Sequence, residues 1–161
     1  MEYRQEDRVV YGSHGVCIIL GIEEKLIDRK AVQYYVLSSV QQQGAKYYVP
    51  VHNALAVSKM RQPLTHREIE EMCADQTIPA DCWIADENRR KLRYRELMAN
   101  DDPRTILYTV RLLRQHRQEQ FAQGKKFHIC DANFLKDAES LLANEIAYVL
   151  GIEKAEALNM L

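Results

Sequence analysis

Residues 7–27, DRVVYGSHGVCIILGIEEKLI, contain two short runs of Val and Ile separated by the glycine-bounded segment GSHG. Short β-branched runs interrupted by turn formers are typical of β-strands. We therefore predict strands near residues 8–11 and 16–24, joined by a turn in which glycine permits positive φ. This stretch indicates that the chain begins as a β-sheet.

The next forty residues continue the same pattern. Further strands are predicted near residues 34–40, 46–49 and 56–58, and the segment QQQG marks a turn between two of them. Five short strands within about sixty residues favour a small, strongly bent barrel of the SH3 or Tudor kind.

After the segment MRQPL the pattern changes to that of helices. Thr65 and Glu68 have the spacing of a capping box, which satisfies the first amides of a helix. Asp102 followed by Pro103 marks the start of a longer helix, and Gly124 marks its end. The remainder of the chain is expected to form an all-helical bundle.

The last long helix is predicted between Asp131 as the N-cap and Gly151 as the terminator. Strands followed by helices predict an α+β protein with two domains, a barrel over residues 1–62 and a helical domain over residues 63–161. The apolar stripe expected to face the core of the helical domain consists of Phe134, Leu135, Ala138, Leu141, Leu142, Ile146, Val149 and Leu150.

Composition places the protein among folded globular chains, with 47% hydrophobic and 28% charged residues. The N-terminus lacks the apolar region of a signal peptide, and no window is long and apolar enough for a membrane span. We expect a cytoplasmic protein that does not contact a membrane. The four cysteines (Cys17, Cys73, Cys82 and Cys130) are far apart, which fits reduced thiols.

Positive charge is concentrated in one region of the chain. Residues 89–126 contain eleven Lys or Arg and four Asp or Glu, whereas residues 127–161 carry a net charge of −4. This asymmetry is consistent with a local polyanionic partner, and equally with a solvated surface that forms internal ion pairs; the charges alone leave both open. Helical spacing predicts that the arginines of two helices point outward: Arg89, Arg90 and Arg93 on the first, and Arg104, Arg111 and Arg114 on the second.

Trp83, the single tryptophan, directly precedes this basic region. A single Trp in a small domain is commonly a core residue, because its burial removes a large apolar area from water. Its position before a basic helix also suits a wedge or stacking surface for an unpaired base step. Both interpretations remain open at this stage.

The order of these features resembles the CarD/CdnL-like bacterial transcription regulators over nearly the whole chain. DRVVYGSHGVCIILGIEEK is similar to that family's N-terminal motif, V-x-Y-P-x-H-G-V-G-x-I-x-x-I-E, and the strands YYVL and YYVP follow it. The Trp83 segment and the helices after it occupy the positions of the family's C-terminal domain.

The resemblance implies a Tudor-like N-terminal domain that docks on the RNA polymerase β subunit. It also implies a helical domain that contacts promoter DNA at the upstream edge of the transcription bubble and stabilises the open complex.

By position, the resemblance assigns Trp83 as the minor-groove wedge. On the polymerase side it assigns Lys25 and Ile27, together with Tyr48, which stands where some members place an arginine. The basic residues assigned to DNA are Arg89, Arg90, Lys91, Arg93, Lys125 and Lys126.

An enzymatic role is not expected, and neither is a cofactor or a small-molecule substrate. The best cluster, His128, Cys130 and Asp131, lacks any accompanying nucleophile, phosphate-binding or metalloprotease motif. A zinc site from His116, Cys82, His128 and Cys130 lacks ligand-pair spacing, so no metal is predicted.

A stand-alone nucleic-acid binder, for example an RNA-binding barrel with a helical appendage, is the alternative. That function calls for basic residues and exposed aromatics on the barrel. Residues 1–75 instead contain nine Lys or Arg against ten Asp or Glu.

Overall fold

A computed structural model describes residues 2–78, 83–100 and 102–161 of the protein, and Cys82 lies outside these ranges. The chain divides into two compact units, Met1–Pro63 and Leu64–Leu161, here called unit 1 and unit 2. The predicted domain boundary lies one residue before this division.

Unit 1 is a five-stranded antiparallel sheet with the order β4-β3-β2-β1-β5. The α+β class is confirmed, because this sheet precedes a helical unit. Strands β4 and β5 are the two edges, so within residues 2–63 the sheet is not closed as a barrel requires. The strands are β1 (Arg8–Tyr11), β2 (Val16–Ile27), β3 (Lys30–Ser39), β4 (Lys46–Pro50) and β5 (Met60–Arg61).

The strand predicted at residues 56–58 is wrong. This segment belongs to a short helix, α1 (Ala54–Val57), capped by the Asn53 side chain, which accepts a hydrogen bond from the Ala56 amide. A short apolar run does not distinguish the periodicity of a helix from that of a strand. The cap formed by the Asn53 side chain stabilises the helical turn. The fifth strand is β5, which pairs with β1.

Strands β2 and β3 extend beyond the core as a long hairpin. Their pairing continues to the Ile27–Lys30 pair, and Asp28 and Arg29 form the turn with φ of 48° and 64°. Two residues with positive φ are typical of the turn that matches the twist of a two-residue hairpin. From Ile22 to Ile27 every β2 residue is exposed, so this part of the hairpin projects from the unit.

In the described residues of unit 2, five helices pack around one apolar core. The capping box at Thr65, the Asp102–Pro103 helix start and the left-handed terminator Gly151 are confirmed. The short last helix was not predicted. The helices are α2 (His66–Ala74), α3 (Glu87–Asn100), α4 (Pro103–Ala122), α5 (Ile129–Leu150) and α6 (Lys154–Met160), and the most buried core residues include Ile69, Leu97, Leu107, Leu113, Leu142 and Ile146.

The predicted N-cap of α5 is wrong. His128 occupies that position, and its side chain accepts a hydrogen bond from the Cys130 amide. Asp131 lies within the first turn and is 1% exposed. Its carboxylate faces the interior because a buried arginine pairs with it there.

Candidate functional site

The Arg90 guanidinium is buried inside unit 2, with 7% of the residue exposed. Its Nε and Nη2 donate to the two carboxylate oxygens of Asp131 at 3.0 and 3.1 Å. Its Nη1 donates to the carbonyl oxygens of Ile84 and Ala85 at 3.1 and 3.0 Å. All three guanidinium nitrogens therefore donate to protein acceptors, and little of the Arg90 side chain is exposed for a contact with phosphate.

Asp131 is the acceptor at the centre of this buried network. The Tyr94 hydroxyl donates to its Oδ1 at 2.6 Å, and the Tyr94 ring stacks on Phe134 with centroids 4.1 Å apart. Burial alone raises the pKa of Asp131, but the hydrogen bonds from Arg90 and Tyr94 outweigh it and the pKa is lowered. The ionised carboxylate is thus part of the folded structure, not a free acid or base.

Two of the α4 arginines predicted to face outward, Arg111 and Arg114, instead point toward their own unit. Arg111 is 7% exposed and donates to the carbonyl oxygens of Asp75 and Cys73. Arg114 pairs with Glu139 at 2.7 Å. Arg111 and Arg114 therefore link α4 to neighbouring parts of unit 2, because one guanidinium group can donate to several acceptors at once.

The hydrogen bonds around Asp75 predict that the stability of unit 2 depends on pH. Hydrogen bonds from Thr77 and from the Tyr108 hydroxyl, the latter at 2.6 Å, lower the pKa of Asp75 to about 2. A lowered carboxylate pKa stabilises the fold above the unfolded-state pKa of about 4, and this stabilisation disappears as the pH falls through the folded-state value. We expect the melting temperature of wild type to drop more steeply between these pH values than that of D75N. D137N, at an exposed aspartate, should keep the wild-type slope; equal slopes for all three proteins would contradict the assignment.

Trp83 is partly exposed and packs against the core of unit 2. Its ring stacks on His116 with centroids 3.9 Å apart, and the Arg90 guanidinium carbon lies 4.6 Å from the ring centre. The two interpretations of Trp83 are therefore not exclusive, because part of the residue stays accessible while its neighbours hold the ring in place.

A cleft of about 290 Å³ adjoins Trp83. It lies between α3 and α4, and most of its surface is apolar. Arg93 gives it a cationic side, although this arginine also lies 3.5 Å from Glu96. The lining residues are Trp83, Ile84, Arg90, Arg93, Tyr94, Thr105, Tyr108, Thr109, Leu112 and Leu113.

Four of the six basic residues predicted to contact DNA are exposed. Arg89 is exposed, and its amide rather than its guanidinium bonds to Asp86. Lys91 is exposed but pairs with Glu87 at 2.5 Å. Lys125 and Lys126 are exposed in the loop between α4 and α5.

Arg95 is an exposed cation that the sequence analysis did not single out. It lies one turn after Lys91 on α3, and Leu92, 56% exposed, lies between them. The four-residue spacing between Lys91 and Arg95 indicates that they share a face of α3. Only the burial of Arg90 and Tyr94 shows which face of α3 is exposed.

In unit 1 the structure brings two of the predicted polymerase contacts together. The Lys25 Nζ lies 3.5 Å from the centre of the Tyr48 ring, a cation–π contact across β3. Tyr34 packs edge-on against Tyr48 with centroids 6.4 Å apart. Ile27 is 46% exposed on the same face of the hairpin, so this face presents an aromatic, aliphatic and cationic patch.

Strand β4 also offers an open backbone edge beside this patch. The Val51 amide bonds to Gln33 and the Ser39 amide bonds to Ala45. Because hydrogen-bonded pairs alternate along an antiparallel ladder, Tyr47 and Val49 bond to β3, whereas the backbone groups of Tyr48 face the free edge. Such an edge can accept a strand from another protein.

None of the described helices combines the length and the apolar character needed to cross a membrane. Among curated proteins, none matches this chain significantly. Residues 3–61 match the CarD-like/TRCF RID domain family. Domains of this family interact with the β subunit of RNA polymerase. The resemblance inferred from the sequence is therefore confirmed for unit 1, which is a CarD-like/TRCF RID domain with a polymerase-binding role.

Proposed function

We propose that the protein is a transcription regulator that docks unit 1 on the RNA polymerase β subunit and contacts promoter DNA with unit 2 at the upstream edge of the bubble. The contact with DNA stabilises the open complex. The match of residues 3–61 to a polymerase-interacting domain family is the observation that carries this proposal.

The docking surface is proposed to comprise Lys25, Ile27 and Tyr48 together with the open edge of β4. Tyr48 supplies an aromatic side chain, which is a common anchor in protein interfaces. Its outward backbone groups would add hydrogen bonds if the partner contributes a strand.

The DNA-contacting surface is proposed to comprise Arg89, Lys91, Lys125 and Lys126, with Arg93 at the cleft beside Trp83. So few cations give weak binding by themselves, since non-specific affinities are on the order of 10⁻⁴–10⁻⁶ M at physiological salt. Attachment to polymerase raises the local DNA concentration to about millimolar, which makes weak contacts sufficient. This accounts for DNA binding by a chain with a net charge of −1.

The proposal involves no catalytic step, no small-molecule substrate and no membrane, and it places the protein in the cytoplasm with its polymerase. In the cluster of His128, Cys130 and Asp131, the Asp131 carboxylate is engaged by Arg90 and Tyr94, so it is not free to act as a general base.

Replacing Trp83 with alanine tests the contribution of unit 2. We expect W83A to shorten the lifetime of the promoter open complex by about fivefold or more, because stacking of a base on an aromatic ring contributes about 1–3 kcal/mol. Binding to core polymerase should be unchanged, since Trp83 lies outside unit 1. The measurement is the decay of open complexes after addition of a competitor.

W83F is the matched variant, because it retains an aromatic ring beside His116. An intermediate lifetime for W83F together with a short one for W83A supports a stacking contact. An unchanged lifetime with folded W83A would restrict Trp83 to packing, and retention of DNA or RNA without any polymerase binding would favour the stand-alone nucleic-acid binder.

A further inference from the structure

Three potential metal ligands meet where α3 and α5 begin. Glu87, in the first turn of α3, lies beside His128 and Cys130 at the start of α5, and one donor atom from each lies within 4.8 Å of the others. The His128 Nε2 is 3.2 Å from a Glu87 carboxylate oxygen. Glu87 lies 41 positions before His128 in the sequence, so no local spacing connects it with the other two residues.

This combination of donors matches the chemistry of Zn²⁺. Carboxylate, imidazole and thiolate are its three usual protein ligands, bound at about 2.0–2.3 Å in a tetrahedral arrangement. That geometry places donor atoms about 3.3–3.8 Å apart, so modest side-chain rotations close the present spacing. His128 is exposed, and the other two are partly exposed, which allows an ion and a fourth ligand from water to enter.

The surrounding charges permit a cation here. The Lys91 ammonium pairs with one carboxylate oxygen of Glu87, Oε1. The other oxygen, Oε2, lies beside His128. Arg90 is already neutralised by Asp131. Binding of Zn²⁺ would require Cys130 to lose its thiol proton, after which Glu87 and Cys130 carry two negative charges against the single charge of Lys91.

The tautomer of His128 changes on coordination. Its Nδ1 accepts the N-cap hydrogen bond from the Cys130 amide at 3.4 Å. Metal binding through Nε2 moves the ring proton to Nδ1 and removes this long cap bond. One weak hydrogen bond is a small loss compared with the ligand bonds formed.

We propose that Glu87, His128 and Cys130 form a Zn²⁺ site with water as the fourth ligand. The site is separate from the surface proposed for polymerase, but it adjoins the proposed DNA surface, because Lys91 pairs with Glu87. It joins the start of α3 to the start of α5. Of the ligands considered from the sequence, His116 does not take part, because it stacks on Trp83 and bonds to Gln120.

The test is calorimetric titration of the full chain with Zn²⁺, repeated with Co²⁺ under ultraviolet absorption. We expect one bound Zn²⁺ per chain and a thiolate-to-cobalt charge-transfer band. His128→Asn and Cys130→Ser should each weaken Zn²⁺ binding at least about tenfold, because loss of only an outer-sphere partner of a ligand already costs about 10–100-fold in affinity. Asn retains a side-chain oxygen for the N-cap, and thermal unfolding checks that both variants fold.

Two control variants distinguish this site from other metal-binding groups. His66→Asn removes an exposed histidine on α2 and should leave the affinity unchanged. Cys82→Ser removes a thiol outside the described residues and should leave the cobalt band unchanged. Absence of stoichiometric binding, undiminished binding by H128N and C130S, or loss of the band only in C82S would each overturn the proposal.

Discussion

Replacing Arg90 with alanine is expected to destabilise unit 2 by about 3–5 kcal/mol, the usual cost of removing one partner from a buried ion pair. Asp131 would be left 1% exposed in the native structure, with Tyr94 as its remaining strong donor. The Ile84 and Ala85 carbonyl groups would also lose their donor. Urea unfolding followed by tryptophan fluorescence measures this effect, because the only Trp belongs to unit 2.

R89A is the matched control, since the neighbouring arginine is exposed. Its effect on the free energy of unfolding should stay within about 0.5 kcal/mol, which is usual for surface substitutions. DNA binding should distinguish the two variants as well. R89A should remain stable but bind DNA with reduced affinity. A stable R90A with reduced DNA affinity would contradict the buried role and return Arg90 to the DNA surface.

The double variant R90M/D131L provides a further check. Removing both charges leaves no unpaired buried ion, so we expect it to recover a substantial part of the stability lost in R90A. A double variant as unstable as R90A would show that packing around the pair, rather than the unpaired carboxylate, dominates the loss.

Replacing Tyr48 with alanine should weaken binding to the polymerase β subunit at least about tenfold, since truncation of an aromatic anchor typically costs about 2 kcal/mol or more. The variant loses the ring together with its contacts to Lys25 and Tyr34. Unit 1 should stay folded, because Tyr48 is exposed and outside its core. Surface plasmon resonance with the full chain and the isolated β lobe measures the change.

K25E and K59E form a matched pair for the same surface. Both reverse an exposed lysine of unit 1, but Lys59 precedes β5 at the opposite edge of the sheet from β4. K25E should weaken polymerase binding and K59E should not. Equal effects would point to general electrostatics rather than to the Lys25–Tyr48 patch.

Comparison of Y48P with Y48A distinguishes the contribution of the Tyr48 side chain to polymerase binding from that of the backbone edge of β4. Proline removes the outward amide of Tyr48 and leaves the ladder between β4 and β3 intact, a position at which edge strands tolerate it. If the partner adds a strand to β4, Y48P should bind more weakly than Y48A. Equal affinities would show that the side chain alone carries the contact.

The sequence determined the local features of this protein. Short β-branched and aromatic runs broken by turn formers located four of the five strands, and the capping box at Thr65, the Asp102–Pro103 start and the Gly151 terminator located helix ends. The motif in residues 7–27 also indicated the family of unit 1, which the match to residues 3–61 confirms. These features depend on residues that are neighbours in the sequence, so they can be predicted from residue type and spacing.

Tertiary structure alone decided which charged residues face solvent. Arg89 and Arg90 are adjacent and chemically identical, yet only Arg90 has Asp131, 41 residues away, within reach. The fold likewise brought Lys25 onto Tyr48 and Glu87 beside His128. Helical spacing specifies which residues share a face, but the carboxylate or carbonyl opposite that face comes from a distant part of the chain, and burial of an arginine is favourable only where such a partner is present.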